Sequence, residues 1–252
     1  VELDVLYQDR ALLAVAKPAG LLTQAPLGID SLQRRVEAWL AAQQQPRGKV
    51  YLGIVHRLDR PVSGVILFAR HVRAARRLSE QFAGRLVRKR YLALVEGQVE
   101  PEAGEWTDFL AKVEGEARSL VVPPSHPDGR LAILRYQVRQ RLPDRTLLEI
   151  ELETGRTHQI RVQCACRGHP LVGDTLYGAR ASFGPPCDDA RSQPIALHAA
   201  WLQCRHPITR DYLTVVAPLP PLWHQAAGLA PGLGCAALPD PVAGAPSPPP
   251  PS

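Results

Sequence analysis

Apolar residues along this chain fall into short runs. Residues 50–55 and 65–69 are nearly continuous apolar stretches, the mark of strands buried on both faces. Residues 105–113, 132–139 and 147–153 alternate apolar and polar positions, which predicts antiparallel strands with one face to the core. Residues 5–7 and 12–16 predict a hairpin, and residues 91–95, 199–204 and 213–216 predict further strands. Helical spacing is rarer. Leu32, Val36, Trp39 and Leu40 share one helical face, behind Asp30 or Ser31 as a cap. Residues 71–83 predict a basic helix stopped by Gly84. Thr157 predicts the cap of a third helix, running to Arg167 and ended by Gly168. Strands outnumber helices and do not alternate strictly with them. The expected class is therefore α+β, with a mixed, mostly antiparallel sheet.

Composition narrows the picture a little. A chain of 252 residues with 45% hydrophobic residues can bury a substantial core. The formal charge of +6 points weakly to an anionic partner. No apolar run is long enough to span a bilayer, and the start Val1-Glu2-Leu3-Asp4 lacks the design of a signal peptide. Five cysteines, an odd number, read as reduced thiols in a cytoplasmic protein. From Pro218 onward Pro, Ala and Gly dominate, so residues 228–252 are expected to be a disordered tail.

The chemistry concentrates in His56-Arg57-Leu58-Asp59-Arg60-Pro61-Val62-Ser63-Gly64, which lies between two apolar runs. A lone Asp among arginines stays ionised and is held in place, as a carboxylate nucleophile requires. A surface Arg–Asp pair at a strand end would look the same. Two other segments stand out: Ala16-Lys17-Pro18-Ala19-Gly20-Leu21 near the start, and Thr154-Gly155-Arg156-Thr157-His158-Gln159-Ile160-Arg161-Val162 far downstream. The latter is followed by Gly168-His169-Pro170-Leu171-Val172-Gly173-Asp174 and Leu176-Tyr177-Gly178.

In this order the three blocks resemble the three motifs of the RluA-type pseudouridine synthases. Lys89-Arg90-Tyr91-Leu92-Ala93-Leu94-Val95-Glu96-Gly97 resembles that family's tyrosine-bearing strand. Ala196-Leu197-His198-Ala199 with His206-Pro207 resembles its closing strand. The resemblance runs from about residue 5 to about residue 223. It implies a long bent sheet with helices outside and a cleft across the middle, occupying residues 1–227. It also implies isomerisation of uridine to pseudouridine in structured ribosomal or transfer RNA, without cofactor or metal. The family often carries a small RNA-binding domain ahead of the catalytic one, and this chain begins almost directly with the first catalytic strands. A monomer is expected.

The resemblance carries roles to individual residues. Asp59 matches the catalytic aspartate, whether it attacks the sugar, attacks the ring or draws a proton from the ribose. Arg161 matches the arginine that pairs with it, and a guanidinium can grip a carboxylate bidentately. Tyr91 matches the tyrosine lying against the target uracil, where a ring stacks and a hydroxyl can move a proton. By spacing alone, Arg161 would read as a solvated helix position and Tyr91 as a core aromatic. Arg57 matches the arginine that fills the gap left by a flipped base. His56 and Arg60 belong to the same loop, His56 as an ordering group. Lys17 is expected to contact phosphate beside the cleft. Arg73, Arg77, Arg88 and Lys89 belong to a cationic run that either grips the RNA backbone or forms a solvated helix face.

The sequence also departs from the pattern. Pro61 and Val62 replace a polar or acidic residue and a threonine, and Gln163 stands where histidine is common. An RNA-binding protein of the same fold with dead chemistry is the alternative reading. Zinc bound by Cys164, Cys166, His169, Cys187, Cys204 and His206 is disfavoured, because ligand pairs separated by one residue depart from the usual spacing. A carboxylate-pair glycosidase would need a second placed acid. Asp174 is the one motif acid nearby, and the family match gives it a structural part.

Overall fold

The computed structural model describes residues 3–43 and 50–227. The tail expected over residues 228–252 lies outside the described residues. In chain order the described residues form β1 (Val5–Gln8), β2 (Leu12–Lys17), α1 (Leu32–Gln43), β3 (Gly53–Ile54), β4 (Ser63–Ala69), α2 (Val72–Ala83) and β5 (Arg88–Glu96). Then follow β6 (Ala103–Lys112), β7 (Ser119–Val122), β8 (Arg130–Leu142), β9 (Arg145–Leu152), α3 (Gln159–Ala165), β10 (Leu197–Arg205), β11 (Tyr212–Val216) and α4 (Pro221–Ala227). The class is α+β, as the sequence implied.

All eleven strands among the described residues join one sheet. Its main path runs β1-β2-β4-β10-β5-β9-β8-β6-β7, with β3 beside β4 and β11 beside β10. Every pairing is antiparallel except β4 with β10, which run parallel through Ser63–His198 and Gly64–Ala199. That join needs glycine at 64. Its φ is +123°, and a Cβ there would stand 2.3 Å from the Ala199 carbonyl oxygen.

Strand β4 is buried along its whole length. Alternation sends Ile66 and Phe68 into one core and Val65, Leu67 and Ala69 into another. The first core also holds Leu32, Val36 and Leu40 of α1 and Ile160 and Cys164 of α3, and the second holds Ala74 and Leu78 of α2. The apolar run at 65–69 therefore reflects two covered faces. On β5 the same alternation puts Tyr91, Ala93 and Val95 in the core shared with α1 and α3, and Leu92 and Leu94 in a third core with Trp223 of α4.

Several boundaries differ from the sequence expectation. Helix α2 is capped by the His71 ring, whose Nδ1 accepts the Ala74 N–H at 3.1 Å. Gly84 follows it with an ordinary φ of −77°, while Arg85 takes the left-handed conformation at φ 58°. Thr157 caps nothing: α3 starts at Gln159, behind a left-handed His158, and no side chain caps it. The helix ends at Ala165 rather than Arg167. Strand β7 was not expected, because its four residues are too few for alternation to register.

Candidate active site

The loop before β4 is clamped on both sides of Asp59. On one side the Thr23 hydroxyl donates to the Leu58 carbonyl at 2.9 Å and accepts the Leu58 N–H at 3.2 Å. On the other, the Arg60 carbonyl accepts the Gly20 N–H at 2.8 Å and the Lys17 ammonium at 3.1 Å. The Val62 N–H closes a turn onto the Asp59 carbonyl at 3.1 Å. Asp59 thus stands on a short arch whose two feet are fixed, with its side chain 32% exposed.

Lys17 is 1% exposed and donates to the carbonyls of Pro18, Leu21 and Arg60. All three of its donors are spent within the protein. Burial pulls its ammonium down to about 7, with the Asp59 charge working the other way. The expectation that Lys17 contacts phosphate is therefore wrong, since it laces the first motif loop to the Asp59 arch. Arg60 is also engaged: its Nε donates to the Gly20 carbonyl at 3.0 Å and its Nη1 meets Asp189 at 2.8 Å. The half-buried His56 accepts the Leu67 N–H at 2.9 Å and stacks on Phe82 with ring centroids 4.7 Å apart. Burial, aided by the Lys89 charge, lowers its pKa to about 3, so the ring is neutral and fastens the arch to β4. Arg57 is exposed on the cleft wall.

Arg161 is 6% exposed, on the first turn of α3. Its Nε and Nη2 donate to the two oxygens of Asp174 at 2.7 and 2.8 Å. Its Nη1 reaches Asp59 Oδ2 at 3.4 Å. The bidentate grip falls on Asp174, which is 1% exposed, and not on Asp59 as the sequence suggested. Gly173 brings Asp174 there: at φ 88°, a Cβ would stand 2.7 Å from the Phe183 Cβ. One guanidinium thus serves two carboxylates. It neutralises the buried one and steers the other while leaving it a free oxygen.

His158 and Tyr177 lie within the motif segments, but nothing in the sequence alone places either in the site. His158 Nε2 lies 3.1 Å from Arg161 Nη1 and 3.5 Å from Asp59 Oδ2. Burial lowers its pKa, against the pull of Asp59. A neutral ring accepts from Arg161 through Nε2 and donates through Nδ1 to the Tyr177 hydroxyl at 2.9 Å. That hydroxyl also accepts the Ser119 N–H at 2.9 Å, which ties the network to β7. The left-handed backbone at His158 is the signal a sequence hides, because the residue there is not glycine.

An open cleft of about 1290 Å³ runs between the Asp59 arch, β5 and α3. Asp59, Tyr91, Arg161 and His158 line it together, with Arg57, Arg85, Lys89 and Arg156 on its walls. Tyr91 is 9% exposed, and burial with the Asp59 charge pushes its hydroxyl pKa up. It stays protonated and presents a ring face and a donor. Arg88 does not line the cleft but pairs with Glu151 at 2.7 Å. Arg73 and Arg77 lie on α2 away from it, Arg77 donating to the Pro207 carbonyl at 2.6 Å. These three expected backbone contacts are thus not part of the cleft wall. Among the described residues, no three His, Cys, Asp or Glu side chains converge as metal ligands.

A family model described as RNA pseudouridylate synthase matches residues 11–166. The chain is 36% identical over 226 residues to ribosomal large subunit pseudouridine synthase D of Xanthomonas campestris pv. campestris, covering 87% of this chain and 67% of that one. It is 35% identical to ribosomal large subunit pseudouridine synthase C of Haemophilus ducreyi, covering 87% and 66%. Among solved structures it is similar to human RNA pseudouridylate synthase domain containing 4, with a TM-score of 0.72 at 23% identity over 88% of this chain and 92% of that one. At that identity the likeness concerns the fold.

Proposed function

The chain belongs to the RNA pseudouridylate synthase family and is an RNA uridine isomerase, and on that premise we propose that Asp59 carries the reaction on a uridine of large-subunit ribosomal RNA. The observation that carries the residue assignment is the arch. A carboxylate stands in an open cleft on fixed feet, touched by a guanidinium already committed elsewhere. A nucleophile needs both qualities, placement and an unquenched oxygen.

The isomerisation breaks the bond from uracil nitrogen to ribose, turns the base, and joins a ring carbon to the same sugar carbon. The proton of that ring carbon leaves and the ring nitrogen regains one, so the atoms balance with no redox partner. In this reading a flipped uridine enters the cleft with its ring on Tyr91. Asp59 attacks through the oxygen that Arg161 leaves free. The protonated Tyr91 hydroxyl donates rather than abstracts. His158 is a positioning residue: it holds Arg161 Nη1 in the plane that faces Asp59 and passes the constraint to Tyr177. Exposed Arg57 stands at the lip, where a cationic plane fills the space vacated by the base.

The similarity to ribosomal large subunit pseudouridine synthases C and D supports ribosomal RNA as the substrate. Residues 1–227 are proposed as the catalytic unit. The test is to incubate the protein with ribosomal and transfer RNA lacking modifications and to map pseudouridine in each. Conversion in large-subunit ribosomal RNA is expected. Conversion in transfer RNA alone overturns the substrate assignment, and conversion in neither overturns the activity. A His158→Gln variant, which keeps an acceptor but loses the fixed ring, is expected to lower kcat more than it raises KM. A purely structural role would instead lower stability and leave the kcat of the folded fraction intact.

A further inference from the structure

Helix α2 ends in an arrangement that normally calls for glycine. The Leu86 N–H donates to the Gln81 carbonyl at 2.9 Å and the Arg85 N–H to the Phe82 carbonyl at 3.3 Å. That pattern places Arg85 itself in the left-handed region, where a side chain is strained. The chain has a glycine one position too early, at Gly84, and puts arginine in the strained place. A residue kept there against its backbone preference points to a use for its side chain.

The surroundings indicate which use. Arg85, Lys89 and Arg156 line the same cleft. Lys89 Nζ would stand 3.3 Å from a Cβ on Gly155, next in sequence to Arg156. Arg156 is anchored from behind, its Nε donating to the Leu131 carbonyl at 2.9 Å, and it forms no ion pair with any described carboxylate. The side chains of Arg85 and Lys89 have no hydrogen-bond or ion-pair partner among the described residues. Burial lowers the Arg156 pKa, and the nearby charges of Arg85 and Arg130 add to that effect. Three cations line the same open cleft, one of them on a left-handed backbone, and none of them meets a carboxylate among the described residues.

We infer that Arg85, Lys89 and Arg156 form a clamp for a phosphodiester of the RNA backbone flanking the flipped uridine, and that the left-handed turn at the end of α2 exists to aim Arg85 into it. The inference rests on the functional reading above, since it presumes RNA in the cleft. Its chemistry is that of a backbone contact: it grips the chain beside the target without reading a base.

The experiment measures binding of fluorescent stem-loop RNAs with loop uridines, in which each phosphodiester in turn is replaced by a neutral methylphosphonate. Wild-type protein is expected to lose affinity at one or two adjacent linkages. Arg85→Gly and Arg156→Gln should each weaken binding to the unmodified RNA by about threefold or more and lower the salt slope by about 0.7–0.9. At the sensitive linkage they should lose nothing further. Arg85→Gly suits its backbone and is expected to melt no lower than wild type. Arg156→Gln provides the same readout without touching the turn. If both variants keep the wild-type salt slope, or if the neutral linkages cost them as much as wild type at every position, the clamp is overturned. Conversion of uridine by wild-type protein on the same RNAs separates the two readings. Its absence defeats the functional proposal, whereas its presence beside additive linkage effects defeats the clamp alone.

Discussion

Two sets of cations, which meet along β5 at Arg88-Lys89-Arg90, behave oppositely. On one face of β5, β8 and β9 each arginine meets a glutamate. Arg88 pairs with Glu151 at 2.7 Å, Arg90 with Glu149 at 3.3 Å, and Arg139 with the same Glu149. Arg88 and Arg90 also lie over the Trp201 ring. On the cleft side Arg57, Arg85, Lys89 and Arg156 pair with no carboxylate among the described residues. The sheet cancels charge where it packs and keeps charge where it opens. Folding alone gives no reason for the second set, because unpaired like charges repel. A polyanion in the cleft does.

The largest effect should come from Arg161, which lines the cleft and is also paired with a buried carboxylate. Arg161→Gln leaves Asp174 buried without a counter-charge, and urea unfolding should show a loss of about 3–5 kcal/mol together with loss of conversion. An unchanged midpoint would mean that the Asp174 pair is not what holds α3 against the cleft. Next in size is Glu149→Gln, which removes the carboxylate shared by Arg90 and Arg139. A destabilisation of about 1–3 kcal/mol is expected, with RNA affinity and its salt slope as in wild type. A changed salt slope would place the paired face in the RNA footprint after all.

Smallest, and of opposite sign, is Lys89→Met. Burial lowers the Lys89 pKa, so its charge is held at a cost to the fold. The variant should gain about 0.5–1 kcal/mol while RNA binding weakens. The sign follows from linkage. A lysine whose folded pKa lies below its unfolded value costs stability most when both states are charged, below the folded pKa. That cost fades as pH climbs from the folded pKa toward the ordinary 10.5. The gain of Lys89→Met over wild type should therefore shrink toward pH 10.5, and a gain independent of pH would assign it to packing instead.

The run Arg88-Lys89-Arg90 shows how far the sequence could be read. As letters it is one basic patch. In a strand, neighbours point to opposite faces, so Lys89 and Tyr91 reach the cleft while Arg88 and Arg90 join the glutamates. The strand itself was legible from its apolar run, but which face would be the cleft was not. The long alternating strands and α1 were legible too, because each rests on local periodicity, whereas the motif loops stood out through their resemblance to the family. Lys17 was misread because burial is a tertiary fact: nothing local says that three carbonyls will converge on its ammonium. The left-handed turns at Arg85 and His158 were missed because the usual signal, a glycine, is absent from both. Asp59, Arg161 and Tyr91 are brought together from loop, helix and strand. The motif match named them, but it did not show that Asp174 takes the stronger grip on Arg161.

The proposed role of the Asp59 carboxylate is decided by one comparison. Asp59→Asn keeps the shape of the side chain and removes its charge, so the arch should persist and RNA should still bind. Pseudouridine formation is then measured in a single turnover with all the RNA bound. The expected result is a fall of about a thousandfold or more at undiminished affinity. Conversion within a few fold of wild type would contradict the assignment and move the chemistry to another group in the cleft.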